Sequence, residues 1–194
     1  MTATNSYEVI VIGGGPAGST AAALLAEKGR RVVVFEKEKF PRYHIGESLM
    51  PFCWYTMERL GVLPEMERLA YTKKQSVQFV TQDGRQSQPF YFFQHYDHPS
   101  STSWQVERGD FDLMLLNNAR KKGAEVHEQT TVKRVLKDEA GKVIGVEVMG
   151  TDGVTHEVFA PVTVDCSGRE QVAVAREGWR VKDPQLNKLA IWKT

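Results

Sequence analysis

The sequence predicts an α/β fold: a parallel-sheet domain carrying a β-meander, interrupted by part of a mostly antiparallel β domain. Three observations predict it. A β-branched run at residues 7–12, YEVIVI, passes directly into a glycine-rich turn. An alanine- and leucine-rich stretch follows, and then a second apolar run, RVVVFE at residues 31–36. Further along, period-two alternation between glycine-bearing turns replaces helical spacing.

The elements follow in chain order. Residues 7–12 suit a strand buried on both faces of a parallel sheet, since almost every position is apolar. Residues 16–28 form a helix with small residues where it presses on the sheet, closed by Gly29 as a C-cap. With residues 31–36 as the second strand, the three segments make a βαβ unit of the usual length. A helix is expected over residues 47–60, with Pro51 near its start, and a short one over 64–70. Residues 77–81 and 88–93 around Asp83-Gly84 predict an antiparallel hairpin, followed by a loop at 95–103 and a short strand at 104–106. Residues 108–122 return to helical spacing, with Phe111, Leu115 and Ala119 on one face and Gly123 at the end. A strand at 124–127 resumes the first domain. The strands at 131–137, 142–149 and 154–159 form the meander, and 162–165 is a buried strand running into Cys166-Ser167-Gly168. A last strand is expected at 189–192.

Bulk properties narrow the function. The 194 residues are 41% hydrophobic, ample for a core without staples. Lysine plus arginine (25) nearly balances aspartate plus glutamate (24), so no strong field draws the chain to nucleic acid or an anionic membrane, and a small-molecule substrate is expected. Cys53 and Cys166 form no CxxC pair, which speaks against a redox dithiol or metal ribbon. His95 and His98 lack a third ligand, so no metal is expected. No segment is apolar for the roughly 18 residues of a membrane span, and the first strand is reached by Tyr7 without a basic stretch followed by an apolar run. A soluble, cytoplasmic protein is expected.

The chemistry begins at Gly13-x-Gly15-x-x-Gly18, directly after a strand and at the start of a helix. The glycines give a tight turn, close backbone approach to a pyrophosphate, and close helix–strand packing. The helix N-terminus then presents N–H groups and the positive dipole end to phosphate. Glu36 ends the second strand, near the spacing of about 20 residues at which a carboxylate accepts hydrogen bonds from an adenosine ribose. Its loss is expected to weaken nucleotide binding and leave folding nearly unchanged. A glutamate here disfavours a 2′-phosphate, so NADP fits poorly, while NAD and FAD both remain open on these residues.

Longer motifs separate the two. VIGGGPAGSTAAALLAEKGRRVVVFEK, FPRYHIGESLMP, VERGDFDLMLLNNARKKGAEV and VDCSGRE resemble the FAD-dependent monooxygenase superfamily, closest to flavin-dependent halogenases and geranylgeranyl-reductase-like proteins. The resemblance covers nearly the whole chain. It implies a Rossmann-like FAD-binding domain formed by residues 1–71 and 107–171, with 72–106 and 172–194 belonging to the substrate domain. It further implies that Gly13, Gly15, Ala17, Gly18, Glu36 and Lys37 bind the ADP part of FAD. Arg42 and Ser48 lie near the cofactor, and Arg108 approaches its phosphates. Val132 meets the adenine through its backbone, and Asp165 and Gly168 match a strand-end DxSG beside the nucleotide.

The FPRYHIGESLMP segment looks much more like halogenases of phenols and pyrroles, and their close reductase and monooxygenase relatives, than like the aromatic hydroxylases. In that family a separate flavin reductase supplies reduced FAD, oxygen and chloride yield hypochlorous acid, and a lysine captures or orients this oxidant. Lys74, in KKQSVQF, resembles that lysine, and Lys73 is one residue of alignment away. The implied activity is oxidation of halide for an aromatic or polyketide-like substrate. The other readings are an FAD monooxygenase, a geranylgeranyl-reductase-like double-bond reductase, and a non-catalytic nucleotide-binding fragment. The WxWxIP and GD motifs of halogenases are absent, and in the family both lie beyond a point equivalent to Thr194. The chain is therefore expected to be the N-terminal portion of a longer polypeptide.

Overall fold

A computed structural model describes residues 7–175, 177–181 and 183–186. The first strand, β1 (Val9–Ile12), leads through the glycine loop into α1 (Pro16–Glu27) and then β2 (Val32–Phe35). All residues of both strands are buried, as the unbroken apolar runs require of a strand covered on both faces. Then come α2 (Cys53–Leu60), α3 (Leu63–Arg68), β3 (Thr72–Lys74), β4 (Ser76–Val77), β5 (Phe90–Tyr91) and β6 (Ser103–Gln105). The long helix α4 (Arg108–Lys121) leads to β7 (Glu125–His127), the meander strands β8 (Thr131–Lys137), β9 (Val143–Met149) and β10 (Thr155–Phe159), and finally β11 (Val162–Asp165).

The parallel sheet has the order β11-β1-β2-β7. Ile10 stands between Val33 and Thr163 in register. Because side chains alternate, the two central strands feed two cores. Val9, Val11, Val32 and Val34 point to the helices, where they meet Ala22, Ala23, Phe111 and Leu115. Ile10, Ile12, Val33 and Phe35 point to the meander, against Val132, Val146 and Val148. The result is three layers: helices, parallel sheet and meander.

The antiparallel part is smaller, comprising β3 with β6 and β4 with β5. Its hairpin is shorter than the sequence predicts. Beyond β4 and β5 only a Val80–Gln86 bridge continues the pairing, and Pro89, without an N–H, interrupts the second arm. Residues 92–94 form a 3-10 turn instead of continuing as strand. β3 has no counterpart in the expected elements; it forms because β6 offers it a partner, with Lys73 opposite Trp104.

One boundary is corrected by six residues. The helix expected from residue 47 begins at Cys53. Pro51 disfavours helical backbone before it, and residues 47–49 run instead alongside β6. Ser48 bridges to Gln105, the Leu49 N–H donates to the Trp104 carbonyl at 3.0 Å, and the Val106 N–H to the Glu47 carbonyl at 2.9 Å. The strand expected at 189–192 lies outside the described residues.

Candidate functional site

At the carboxyl ends of β1, β2 and β11 the glycine loop opens into a cavity of about 540 Å³, within the size range of small-molecule sites. Each motif glycine has a distinct geometric reason. Gly13 has φ of +98°, and a Cβ there would meet the Cys166 carbonyl oxygen at 2.7 Å. A Cβ on Gly18 would lie 1.8 Å from the Gly13 carbonyl oxygen, so helix and loop touch backbone to backbone. Gly15 differs: its Cβ would meet only Arg42 Nη2, at 3.7 Å. That position opens on the cavity. Gly15 is also the N-cap of α1, where no side chain caps the helix and Pro16 lacks an N–H, so the helix end is available to an anion.

Glu36 lines the cavity at the end of β2 and is only 5% exposed. Its Oε2 accepts from the Gly14 N–H at 2.7 Å and its Oε1 from the Glu38 N–H at 2.8 Å. The carboxylate therefore clamps the glycine loop to the β2 exit as well as facing the site. Lys37, beside it, is ion-paired with Glu170 across the cavity mouth; this bond raises its pKa from the ordinary lysine value.

Arg42 and Arg108 form one wall. Arg42 sits over the Phe40 ring at 4.4 Å. Behind both stands Asp112, completely buried: Arg108 binds it through Nε at 2.8 Å and Nη2 at 2.9 Å, and Arg42 Nη1 lies 3.0 Å from its Oδ2. Sequence reasoning passed over Asp112. The signal was present, an arginine and an aspartate four apart at the start of one helix.

The opposite wall is the loop after β11. Asp165 Oδ1 accepts from the Ser167 N–H at 3.0 Å and its hydroxyl at 2.5 Å, while Oδ2 accepts from the Ala173 N–H at 2.8 Å. Asp165 thereby shapes the turn that brings Cys166, Ser167 and Gly168 to the cavity. Burial pushes the Cys166 thiol up, with Asp165 adding to the effect. Val132, at the start of β8, lines the same space.

The expected site residues thus divide. Gly13, Gly15, Ala17, Glu36, Lys37, Arg42, Arg108, Val132 and Gly168 line one cavity. Gly18 and Asp165 build its walls from behind. Ser48 and Lys74 stand apart from it, and together: Lys74 Nζ donates to Ser48 Oγ at 2.7 Å and lies 5.9 Å from the centre of the Phe92 ring. Lys73 points to the other face of β3, where it pairs with Glu67 and lies over Trp104. The rings of His95 and His98 take separate partners, His95 stacking on Phe90 and His98 receiving the Ser100 N–H at 3.1 Å. No described helix is long and apolar enough to cross a membrane.

A dinucleotide fits these residues: an anion-ready helix end beneath an open glycine, two guanidiniums beside it, and a buried carboxylate at the strand end. Comparison with known proteins agrees. The chlorinase of 1H-pyrrole-2-carbonyl-[peptidyl-carrier protein] from Pseudomonas fluorescens is 35% identical over 204 residues, covering 96% of this chain and 45% of that protein. The flavin-dependent halogenase armH3 of Armillaria mellea is 34% identical, covering 96% and 37%. Among solved structures, the myxobacterial chondrochloren halogenase superposes with a TM-score of 0.81 at 38% identity, covering 87% of this chain and 39% of its own. The chain spans less than half the length of these relatives. The family described as FAD binding domain matches residues 6–188. This chain therefore belongs to the FAD-binding domain family, and FAD is its cofactor.

Proposed function

We propose that this chain is the FAD-binding portion of a flavin-dependent halogenase acting on an aromatic or polyketide-like small molecule. Residues 1–71 and 107–171 would form the cofactor domain, with 72–106 and 172–194 contributing to the substrate domain. The observation that carries the reading is the setting of Lys74. Its ammonium has no carboxylate partner among the described residues and rests between a hydroxyl and an aromatic face. It stands where the cofactor-side segment 40–51 meets the antiparallel sheet. A cation kept out of ion pairing suits a group that holds a small polar oxidant. The similarity to halogenases along 96% of the chain supports the same reading.

Reduced FAD, when bound, supplies the electrons with which oxygen and halide yield hypohalous acid. The chain's own residues bind and orient. The glycine loop and the N-terminus of α1 receive the pyrophosphate, with Arg42 and Arg108 beside it. Glu36 accepts from the ribose hydroxyls, and the Val132 backbone flanks the adenine. Lys37, Asp165 and Gly168 shape the entrance, and Ser48 joins the cofactor side to Lys74. A separate flavin reductase is the expected source of reduced cofactor. The two free thiols, Cys53 and Cys166, suit a cytoplasmic setting.

The test is product analysis. Full-length protein, a flavin reductase, FAD, oxygen and chloride or bromide are incubated with a panel of phenols and pyrroles, and products are read by mass spectrometry. Halogen incorporation that depends on halide and reduced flavin supports the reading. Hydroxylated or reduced products without halogen overturn it.

A further inference from the structure

Among the described residues two carboxylates are buried, Glu36 and Asp112, and only Glu36 lines the cavity. A carboxylate withdrawn from water is costly unless it is paired and hydrogen-bonded. Asp112 is paired twice. Arg108 grips both of its oxygens in the two-pronged geometry that fixes a guanidinium plane. The remaining Arg108 nitrogen, Nη1, donates to the Ile45 carbonyl at 2.7 Å and the Gly46 carbonyl at 3.4 Å. Arg108 is thus held through all three of its side-chain nitrogens.

Arg42 is held differently. Its Nε lies 2.9 Å from Glu38 and its Nη1 3.0 Å from Asp112, yet both nitrogens point off the line of a hydrogen bond. Charge draws the side chain in, and the Phe40 ring supports it from one face. Its Nη2 is left over the glycine loop, near Gly15. A carboxylate outside the cavity therefore contacts both cavity-lining guanidiniums.

We propose that Asp112 is a positioning residue for the nucleotide: it locks Arg108 and draws Arg42 over the glycine loop, so that both charges are preassembled for the FAD pyrophosphate. This rests on the assignment of the cavity to FAD. Two simpler roles lead elsewhere. Were Asp112 only a counter-charge, its neutralisation would make the wall more positive and tighten binding of a dianionic pyrophosphate. Were it only a folding element, its loss would act equally whether or not the arginines are present.

The experiment measures the FAD dissociation constant of full-length protein by flavin fluorescence, with apoprotein melting temperature alongside. Asp112→Asn is compared with wild type and repeated in an Arg42→Gln/Arg108→Gln background. The expected result is a dissociation constant raised by about 10- to 100-fold, by analogy with the loss of an outer partner that orients a metal ligand. In the background without the arginines the same change should have no further effect. Tighter or unchanged FAD binding overturns the proposal, as does an equal loss in that background. If Asp112→Asn does not fold, Asp112→Glu keeps the charge and changes the reach: weakened binding that vanishes in the Gln background supports positioning, and a wild-type constant overturns it. Gly15→Val separates this from the site assignment. Should Gly15→Val bind FAD like wild type, the cavity is not the FAD site; should it lose FAD while Asp112→Asn retains it, only the role of Asp112 falls.

Discussion

A Cβ on Gly18 would stand 1.8 Å from the carbonyl oxygen of Gly13, whereas one on Gly15 would meet nothing closer than 3.7 Å. The two glycines therefore answer different demands, one from the fold and one from the ligand. Gly18→Ala should destabilise the apoprotein, since backbone must move; overpacking of a tight contact typically costs about 1–3 kcal/mol. Gly15→Ala should leave the melting temperature of the apoprotein nearly unchanged. Thermal melts of both variants without FAD check this, and equal melting temperatures would mean that α1 can retreat from the loop.

Glu36→Ala should weaken FAD binding by about 1.5–3 kcal/mol, the range for a hydrogen bond to a charged group. It should also lower the melting temperature of the apoprotein, because two backbone N–H groups, Gly14 and Glu38, lose their acceptor. This revises the expectation from sequence that folding would hardly change. Flavin titration and apoprotein melting read the two effects separately, and a wild-type melting temperature would show that the clamp contributes little.

The central sheet was legible because burial on both faces leaves almost no choice but unbroken β-branched runs, as at residues 9–12 and 32–35. The glycine loop was legible for a related reason, since positive φ at Gly13 and contact at Gly18 admit little else. What escaped depends on partners distant in sequence. Residues 47–49 carry helical spacing, yet their backbone groups pair with β6, more than fifty residues on, and Pro51 blocks the helix from starting earlier. Ser48 was expected near the cofactor; its observed partner, Lys74, follows from that pairing. The Arg108–Asp112 spacing is written in the sequence, but only tertiary structure brings Arg42 to Asp112.

Glu27 ties α1 to α2 and α4: Arg59 donates to it at 2.7 Å and Lys122 binds its other oxygen. These bonds, Arg59 first, lower its pKa from 4.5 to about 2. A depressed carboxylate stabilises the folded state above its unfolded pKa and loses that contribution as pH falls through the folded value. The melting-temperature difference between wild type and Glu27→Gln should therefore be constant above about pH 5, and it should shrink as pH falls from 4.5 to about 2. Salt should shrink it too, because the group is open to solvent. A difference that persists undiminished in acid would assign the contribution to packing.

Lys73 and Lys74 are adjacent in β3 and face opposite ways, which makes them a matched pair for testing the proposed halogenation. Strand alternation sends Lys73 to Glu67 and the Trp104 ring, and Lys74 to Ser48 and the Phe92 ring. The first is satisfied by a carboxylate on the protein surface. The second has a neutral acceptor and an aromatic face, with no carboxylate partner among the described residues. If Lys74 orients the oxidant, Lys74→Ala should retain FAD and its reoxidation by oxygen yet lose halogenated product, uncoupling flavin consumption from product formation. A group acting only at the transfer step is expected to lower turnover strongly, by analogy with roughly 10²- to 10⁴-fold for general acid–base groups. Lys73→Ala should halogenate normally, with at most a small loss of stability from a surface ion pair. Stopped-flow absorbance follows the flavin and mass spectrometry the product, so the two halves are measured independently. Activity in Lys74→Ala with loss in Lys73→Ala would transfer the role to the neighbouring residue. Halogenated product from both variants would remove the lysine from the chemistry and leave the halogenase reading to rest on the product itself.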